Sequence, residues 1–326
     1  MERAPERLYL VVPCYNEEAV LPETSKRLLT KLAGMAERGL IREDSRILFV
    51  NDGSKDRTWE LIEQLHHDHA QVEGLKLSRN RGHQNALLAG LMMAKERADM
   101  VISLDADLQD DVDVIDQFVE AYYAGNDIVY GVRSSRQTDT AFKRGTANFF
   151  YKFMKLLGAD VIENHADYRL MSRRALEGLA QYREVNLFLR GIIPLIGYPS
   201  TTVAYERHER FAGESKYPLK KMLALSFDGI TSFSVKPIRF IVLLGFLMAL
   251  VGVAVFAYIL VVKILGHVVG GWTSLIASIW LLGGVQLLCL GVIGEYIGKI
   301  YNETKARPRF IVEKSLIADE DKETSL

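Results

Sequence analysis

The sequence predicts an α/β protein in which a mostly parallel sheet, covered by helices on both faces, is followed by a two-helix transmembrane hairpin. Two observations lead to this fold class. In the first part of the chain, strand-like apolar runs alternate with helical stretches, and strands that are apolar throughout are typical of a parallel sheet buried on both faces. Towards the C-terminus, two apolar segments are each long enough for one membrane crossing.

Five short apolar runs predict the strands, and helical periodicity fills the segments between them. The strands are expected at Leu8–Val12, Ile47–Val50, Leu75–Leu77, Met100–Leu104 and Ile128–Val132. The helices are expected at Pro22–Leu32, Thr58–Leu65, Gly82–Arg97 and Val112–Tyr123. In such a sheet, the residues of a functional site follow the carboxyl ends of the strands.

The predicted hairpin consists of Phe240–Val262, which contains no charged side chain, and Trp272–Gly294, which is interrupted only by Gln286. As a helix, each segment is long enough to cross a hydrocarbon core of about 30 Å. Lysines and arginines flank the hairpin on both sides, whereas the connection between its two segments holds one lysine. The positive-inside rule therefore places both termini and the polar domain on the cytoplasmic side of the inner membrane.

Composition excludes several classes of function. The chain has 326 residues, with 40 Lys and Arg against 41 Asp and Glu, and without a basic excess we expect no nucleic-acid partner. Its two cysteines, Cys14 and Cys289, are far apart, which excludes a disulfide framework and a cysteine zinc site. The sequence has no dinucleotide-binding glycine motif after the first strand and no P-loop. We therefore expect a divalent cation to hold the phosphates of any nucleotide.

The clearest motif comprises Asp105, Asp107 and Gln109, at alternate positions directly after the fourth predicted strand. Alternate residues that leave a strand point the same way, so these three side chains can converge on one point. Oxygen ligands of this kind suit Mg²⁺ or Mn²⁺, with a diphosphate filling the remaining positions. The alternative is a turn whose aspartates cap the next helix. The candidates for capping are Asp110, Asp111 and Asp113.

Three further polar turns follow strands. Pro13–Glu17 ends the first strand, and Tyr15 within it either packs on a base or belongs to the core. Asn51–Asp56 ends the second strand, and it offers a carboxylate to a base or ribose or caps the next helix. Asn80–Gln84 begins a helix, and a helix N-terminus attracts anions.

Charged residues later in the chain are less specific signals. Arg133 follows the fifth strand as a cation near the same edge, or else forms a surface salt bridge. Asp167 and Arg169, two apart on an extended segment, can orient an acceptor. Arg210–Lys216 precedes an amphipathic stretch, Tyr217–Val235, that is predicted to be an interfacial helix.

A second interfacial segment is predicted at Leu187–Ile196, around Arg190. For both amphipathic stretches, the alternative is packing on the soluble core. The chain accordingly divides into four predicted regions: a catalytic domain at 1–215, an amphipathic juxtamembrane segment at 216–238, two transmembrane helices at 239–298 and a cytoplasmic tail at 299–326.

Together these motifs resemble those of inverting family 2 glycosyltransferases of GT-A fold, over residues 6–315 of the chain. With the two terminal spans, the chain looks like a polyprenyl-phosphate glycosyltransferase of the bactoprenol glucosyltransferase type, akin to dolichol-phosphate mannose synthase. The motifs that carry the resemblance are Val11–Glu17, Asn51–Asp56, Asn80–Gln84, Asp105–Gln109 and Arg210–Lys216.

The resemblance implies a role for each candidate residue. Donor-nucleotide binding is implied for Pro13, Tyr15, Glu17, Asp52 and Asp105. Binding of Mg²⁺ or Mn²⁺ is implied for Asp105, Asp107 and Gln109. Acceptor-phosphate binding is implied for Arg133, Arg210, Ser215 and Lys216. Asp107 and Asp167 are the implied catalytic residues, with Asp167 as the base.

The implied reaction moves a hexose, usually glucose, from a UDP-sugar to undecaprenyl phosphate, for modification of a cell-envelope glycan. Membrane lipid, a homotetramer and a lipid-sugar flippase are the implied partners. N-acetylglucosamine, galactose and a modified arabinose remain open as the sugar. A processive polysaccharide synthase would normally carry a Gln-x-x-Arg-Trp motif and more spans, and a non-catalytic adaptor would have lost Asp105 and Asp107.

Overall fold

The computed structural model describes residues 4–133, 165–185, 188–206, 235–265 and 271–317. The strands are β1 (Leu8–Cys14), β2 (Arg46–Asn51), β3 (Val72–Leu77), β4 (Met100–Ser103), β5 (Ile128–Arg133), β6 (His165–Ser172), β7 (Ser200–Tyr205) and β8 (Val312–Ser315). The helices are α1 (Leu21–Glu37), α2 (Thr58–Asp68), α3 (His83–Lys95), α4 (Ile115–Tyr123), α5 (Arg173–Ala180), α6 (Leu189–Leu195), α7 (Lys236–Ile264) and α8 (Trp272–Lys305).

Some predicted features lie outside the described residues. They are the candidate acceptor residues Arg210, Ser215 and Lys216, and the amphipathic segment from Tyr217 to Ser234.

The eight strands form one sheet in the order β7-β5-β6-β4-β1-β2-β3-β8. Strand β1 pairs in parallel with β2 and β4, β2 with β3, and β5 with β7. Strand β6 lies between β4 and β5 and is antiparallel to both, and β8 is antiparallel to β3. The predicted mostly parallel α/β sheet is therefore confirmed, with two antiparallel strands added.

All five predicted strands are present, and their apolar patterns explain why. Every residue of β1 is buried, as expected for a central strand that is covered on both faces. Strands β6, β7 and β8 were not predicted, because their sequences are mixed or polar. Strand β7 alternates between exposed and half-buried residues, and all four residues of β8 are exposed.

The segment that follows helix α8 pairs with the β3 edge of the sheet. Residues 299–326 were predicted to be a tail, but helix α8 runs on to Lys305 and strand β8 pairs with β3. The backbone N–H of Ser78 donates to the carbonyl of Ile311 at 2.9 Å, and the N–H of Leu316 donates to the carbonyl of Gly74 at 2.7 Å. Part of the predicted tail is therefore an edge strand of the sheet.

The predicted interfacial segment around Arg190 is wrong for the residues that the structure describes. Leu189, Ile192 and Ile193 on α6 are fully buried in the core, although Leu195 is 60% exposed. The alternative, packing on the soluble core, is the one observed. An apolar stripe of this kind does not by itself distinguish a core from a membrane surface.

Helices α7 and α8 belong to a second compact unit. Within them, Lys236–Val255 and Ser278–Lys305 are long and apolar enough to cross a membrane, and their residues are not buried by other parts of the structure. Both predicted apolar segments are therefore helical. Their ends extend beyond the predicted spans because charged residues continue each helix.

Close packing of α3 on the sheet depends on Gly90. A Cβ atom at this position would lie 2.4 Å from Cγ1 of Val11 and 2.7 Å from Cγ2 of Val50. Gly34, in the last turn of α1, has no atom within 4 Å of the corresponding point. Only the first of these two helical glycines is required by packing.

We expect Gly90→Ala to destabilise the protein by about 1–3 kcal/mol, because the methyl group overpacks a buried helix–sheet contact. Gly34→Ala is the matched control, and it should stabilise the protein by about 0.5–1 kcal/mol because alanine favours a helix. Thermal unfolding of the two purified full-length variants measures both effects. A Gly90→Ala protein as stable as Gly34→Ala would contradict the packing described here.

Candidate active site

The candidate site lies where the carboxyl ends of β1, β2 and β4 meet the beginning of β6. Strands β4 and β6 pair with Ser103 opposite Arg169. Continued by two residues, this antiparallel register brings Asp105 opposite Asp167. The hydroxyl of Ser103 also donates to the carbonyl of Asp167 at 2.5 Å. The insertion of β6 therefore brings together two carboxylates that are far apart in the sequence.

The turns after β1 and β2 are joined by hydrogen bonds. The N–H of Asn16 donates to the hydroxyl of Ser54 at 3.0 Å, and the N–H of Glu17 donates to that of Thr58 at 2.9 Å. Asn16 has a positive φ of 55°, a conformation that asparagine tolerates better than most residues. Tyr15, on the same turn, is 42% exposed. It is therefore not a core residue, and its ring is accessible to a planar ligand.

Pro13 lies where β1 no longer pairs with β4. The pairing of β1 with β4 ends at Val11, whereas its pairing with β2 continues through Pro13 to Cys14. A proline within a sheet is tolerated where a ladder stops, because it has no N–H to donate. Tyr15 and Asp105 both follow the point at which the pairing of β1 with β4 ends.

Asp52 organises the loop before α3. Its Oδ1 accepts from the N–H of Arg81 at 2.6 Å and its Oδ2 accepts from the N–H of Gly82 at 2.9 Å. The side chain is buried, and burial raises the pKa of Asp52, although the two backbone hydrogen bonds oppose this shift. The implied role of Asp52 in nucleoside binding stays a prediction, and the structure adds a role in holding this loop.

The acidic turn after β4 is held in an unusual backbone conformation. Leu108 has a positive φ of 57°, which is rare for a branched, non-glycine residue and is typical of functional turns. Oδ1 of Asp107 accepts from the N–H of Gln109 at 3.2 Å. Partial burial raises the pKa of Asp105, and the charges of Asp167 and Asp107 add to the shift, while His83 opposes it. The turn therefore concentrates negative charge.

The residues after this turn separate into capping and buried roles. Asp111 caps the 3₁₀ turn at Val112–Val114 by accepting from the N–H of Asp113 at 2.9 Å, so the predicted capping role is confirmed for Asp111. Asp110 is instead buried and accepts from the hydroxyl of Tyr205 at 2.6 Å. Burial, together with the charge of Asp105, raises the pKa of Asp110 to about 6.

Arg133 is connected to this acidic turn through Tyr205. Its Nε donates to the Tyr205 hydroxyl at 3.4 Å, and that hydroxyl in turn donates to Asp110. The predicted location of Arg133 near the carboxyl edge of the sheet therefore agrees with the described geometry.

Asp167 lies at the centre of a charged cluster. Its Oδ1 accepts from Nη2 of Arg169 and from Nε of Arg190, the latter at 3.2 Å. Its Oδ2 accepts from Nη2 of Arg190 at 2.9 Å and lies 3.5 Å from Nε2 of His83. The same His83 nitrogen is 3.5 Å from Oδ1 of Asp105. His83 therefore connects the two carboxylates that the register brings together.

The electrostatics of the cluster follow from these contacts. Burial alone would raise the pKa of Asp167, but the hydrogen bond from His83 and the charges of Arg169 and Arg190 hold it well below its usual range. Burial opposes protonation of His83, yet its contacts with Asp167 and Asp105 outweigh this and raise the pKa of the imidazole. The contacts therefore favour the ionised form of Asp167 and the protonated form of His83.

The described structure thus brings together Pro13, Tyr15, Glu17, Asp52, Asp105, Asp107, Gln109, Arg133 and Asp167 at one edge of the sheet. Sequence reasoning missed the roles of His83 and Arg190. His83 was noticed only as part of a helix start, and Arg190 only as part of an apolar segment. Their proximity to Asp167 depends on the tertiary packing of α3, α6 and β6, for which the sequence has no local signal.

Comparison with known proteins identifies the family of the chain. Residues 9–179 match the family described as "Glycosyl transferase family 2", and residues 236–300 match the "GtrB C-terminal hairpin". The chain is 56% identical over 320 residues to "Uncharacterized glycosyltransferase YkoT" of Bacillus subtilis (strain 168), covering 97% of this chain and 94% of that protein. It is 41% identical over 311 residues to the "SfII prophage-derived bactoprenol glucosyl transferase" of Shigella flexneri, covering 95% and 98%.

Among solved structures, a mannosyltransferase, PcManGT from Pyrobaculum calidifontis in complex with GDP-Man and Mn²⁺, has a TM-score of 0.45 at 16% identity, covering 91% of this chain and 85% of that one. A score of this size carries no functional conclusion.

The chain belongs to glycosyl transferase family 2. Within that family it is a glycosyltransferase related to bactoprenol glucosyl transferases, and it carries a C-terminal hairpin of the GtrB type. The resemblance inferred from the motifs is therefore confirmed at the level of the family and of this relationship.

The contact between the turns after β2 and β3 requires glycine at position 53. A Cβ atom at Gly53 would lie 2.5 Å from the backbone nitrogen of Asn80, and the residue has a φ of +65°. Gly39 has a similar φ of +68°, but a Cβ atom there would meet nothing within 4 Å. The two glycines therefore share the same conformational cost of substitution and differ in the contact.

We expect Gly39→Ala to cost about 1 kcal/mol of stability with no loss of glycosyl transfer, because only the backbone conformation is penalised. Gly53→Ala should be more destabilising and should also reduce transfer activity, because it displaces the loop that Asp52 holds. Thermal unfolding and activity of both full-length variants are the measurements. Equal effects of the two substitutions would show that the contact with Asn80 is unimportant.

Proposed function

We propose that this protein transfers a hexose, with glucose as the favoured candidate, from a UDP-sugar to undecaprenyl phosphate at the cytoplasmic membrane face, with inversion at the anomeric carbon. The observation that carries the proposal is the acidic turn of Asp105 and Asp107, where Asp105 lies 3.5 Å from His83, and His83 also contacts Asp167, the partner of Arg190. Such an arrangement suits the joining of a nucleotide diphosphate donor to an anionic acceptor. The relationship to bactoprenol glucosyl transferases and the two membrane-length helices support a lipid acceptor and membrane localisation.

The donor nucleoside is proposed to bind in the opening between β1 and β4. The exposed ring of Tyr15 offers a stacking surface there. Pro13, Glu17 and Asp52, which lie at or just after the ends of β1 and β2, are proposed to complete the nucleoside site. The sugar diphosphate would then extend towards Asp105 and the acidic turn.

The residues of the acidic turn fit a divalent cation. Within the described residues, no three His, Cys, Asp or Glu side chains gather closely enough to hold a metal by themselves. Two carboxylates and one amide, from Asp105, Asp107 and Gln109, are nevertheless the hard oxygen donors that Mg²⁺ and Mn²⁺ prefer, and Mg²⁺ commonly uses only one or two carboxylates together with substrate phosphates. The charge of Asp107 contributes to the raised pKa of Asp105, as expected where carboxylates lie close together. When bound, such an ion would neutralise charge on the leaving diphosphate.

The protein's own contribution to the reaction is positioning and charge compensation. The nucleophile is a phosphate oxygen, and a phosphate monoester with a second pKa of about 6 is largely dianionic at neutral pH. It needs little help from a general base. Arg133, connected to the acidic turn through Tyr205, is proposed to attract the acceptor phosphate, together with Arg210, Ser215 and Lys216 from outside the described residues.

The experiment that tests the proposed function supplies purified full-length protein with undecaprenyl phosphate and a panel of UDP-sugars. We expect mass spectrometry to detect a lipid that has gained one hexose from UDP-glucose. Transfer from UDP-N-acetylglucosamine or UDP-galactose instead would change the assigned sugar and keep the reaction class. Absence of any lipid-linked sugar with every donor would contradict the proposal.

Removal of the proposed metal site should abolish transfer. Asp107→Ala is expected to lower turnover by about a hundredfold or more, because several kcal/mol of charge stabilisation are lost, and EDTA should inhibit the wild-type protein to a similar degree. Asp113→Ala is the matched control, since this aspartate is 91% exposed and pairs with Lys31 on the surface. If the wild-type protein is fully active in EDTA, or if a folded Asp107→Ala variant is fully active, the reaction does not require the cation.

A further inference from the structure

We propose that Asp167 is a positioning residue and not the general base that the family resemblance implies, and that it holds Arg190 where this arginine binds the phosphate of the acceptor. The assignment of that phosphate to the acceptor rests on the proposed function. The role of Asp167 itself is argued from its contacts within the soluble unit.

The carboxylate of Asp167 has no position left for an incoming proton. A carboxylate offers about four lone-pair positions. Three of them accept N–H groups, one from Arg169 and two from Arg190. The remaining position of Oδ2 faces Nε2 of His83 at 3.5 Å. A general base must have a lone pair directed at the group that it deprotonates, and the lone pairs of this carboxylate are directed at two arginines and at the His83 ring.

Asp167 is also the counter-ion of a fully buried arginine. The side chain of Arg169 is 1% exposed, and in the part of the chain that the structure describes its Nε and Nη1 atoms have no hydrogen-bond partner. Removing the charge from one member of a buried ion pair is strongly destabilising, because the other charge is left without compensation. A base at this position would create that situation in every catalytic cycle.

The exposed fractions of the side chains distinguish Asp167 from the residues that a substrate meets. The side chain of Asp167 is 10% exposed, whereas those of Arg190 and His83 are 39% and 42% exposed. Arg190 and His83 therefore cover the carboxylate, and His83 does so on the side of Asp105. A phosphate that approaches the acidic turn meets them first.

The geometry of Arg190 suits phosphate recognition. A planar guanidinium binds phosphate oxygens through parallel N–H groups, and its orientation decides whether it can do so. The two hydrogen bonds to Asp167 fix the plane of the Arg190 guanidinium. Its backbone is fixed by the buried residues Leu189, Ile192 and Ile193 on α6.

A double-mutant cycle of Arg190→Gln, Asp167→Asn and the double variant distinguishes a positioning residue from a general base. We expect Arg190→Gln to lower kcat/KM for undecaprenyl phosphate roughly ten- to a hundredfold, the loss of one or two charge-assisted hydrogen bonds. The loss of kcat/KM in Asp167→Asn should be no larger than the loss in Arg190→Gln, and the double variant should have the same kcat/KM as Arg190→Gln. Arg190→Lys should retain part of the activity. If Asp167 were a general base, Asp167→Asn would lower kcat/KM far more than Arg190→Gln does. The double variant would then have the same kcat/KM as Asp167→Asn.

Binding of inorganic phosphate to the full-length protein is a readout that does not depend on the sugar or the lipid. In a ³¹P NMR titration without other substrates, Arg190→Gln and Asp167→Asn should both weaken phosphate binding, the former by about tenfold. A carboxylate that faced the substrate would repel phosphate, and its neutralisation would tighten binding. Unchanged binding in Arg190→Gln, or tighter binding in Asp167→Asn, would overturn the inference. If Asp167→Asn does not fold, Arg190→Gln and Arg190→Lys still decide whether Arg190 binds phosphate.

The chain provides a matched control at the opposite edge of the sheet. Arg174 donates from Nε and Nη2 to Asp127, in the same two-bond arrangement, with Arg174 58% and Asp127 11% exposed. Arg174→Gln should leave phosphate binding and kcat/KM unchanged, and an equal loss in this variant would contradict a local role for Arg190. A wild-type protein that forms no lipid-linked sugar would refute the proposed function, whereas the phosphate titration would still decide the role of Arg190.

Discussion

The antiparallel pairing of β6 between β4 and β5 determines where the charged residues of the site meet. A parallel strand in that position would begin at the opposite edge of the sheet. Because β6 is antiparallel, its first residues lie at the carboxyl edge, and Asp167 faces Asp105. His83 then connects the two carboxylates, and Arg190 reaches Asp167 from α6.

Charge balance is the second constraint on the site. The acidic turn after β4 concentrates carboxylates, and the charge of Asp107 contributes to the raised pKa of Asp105, while Asp167 is compensated by Arg169, Arg190 and His83. The two halves of the site are therefore unlike. One half has an excess of negative charge that suits a cation, and the other presents cations that suit a phosphate, as a reaction between a diphosphate donor and an anionic acceptor requires.

The chain after the second membrane-length helix returns to the soluble unit. Strand β8 covers the β3 edge, which would otherwise expose unpaired backbone groups. Ile311, directly before β8, accepts a hydrogen bond from the N–H of Ser78, just before the loop that Asp52 holds through Arg81 and Gly82. The catalytic unit of this glycosyltransferase is therefore assembled from segments on both sides of the hairpin.

The sequence by itself determined the α/β class, the five buried strands, the two long apolar helices and the acidic turn at Asp105 and Asp107, because apolar periodicity and strand-end polarity are local properties of a chain. Strands β6 and β8 were decided by tertiary pairing, since their mixed or exposed sequences have no period that predicts a strand. The same holds for His83 and Arg190. A histidine at a helix start and an arginine in an apolar segment acquire a partner in Asp167 only when three distant elements pack together. The contacts of that carboxylate are what distinguish a positioning residue from a general base.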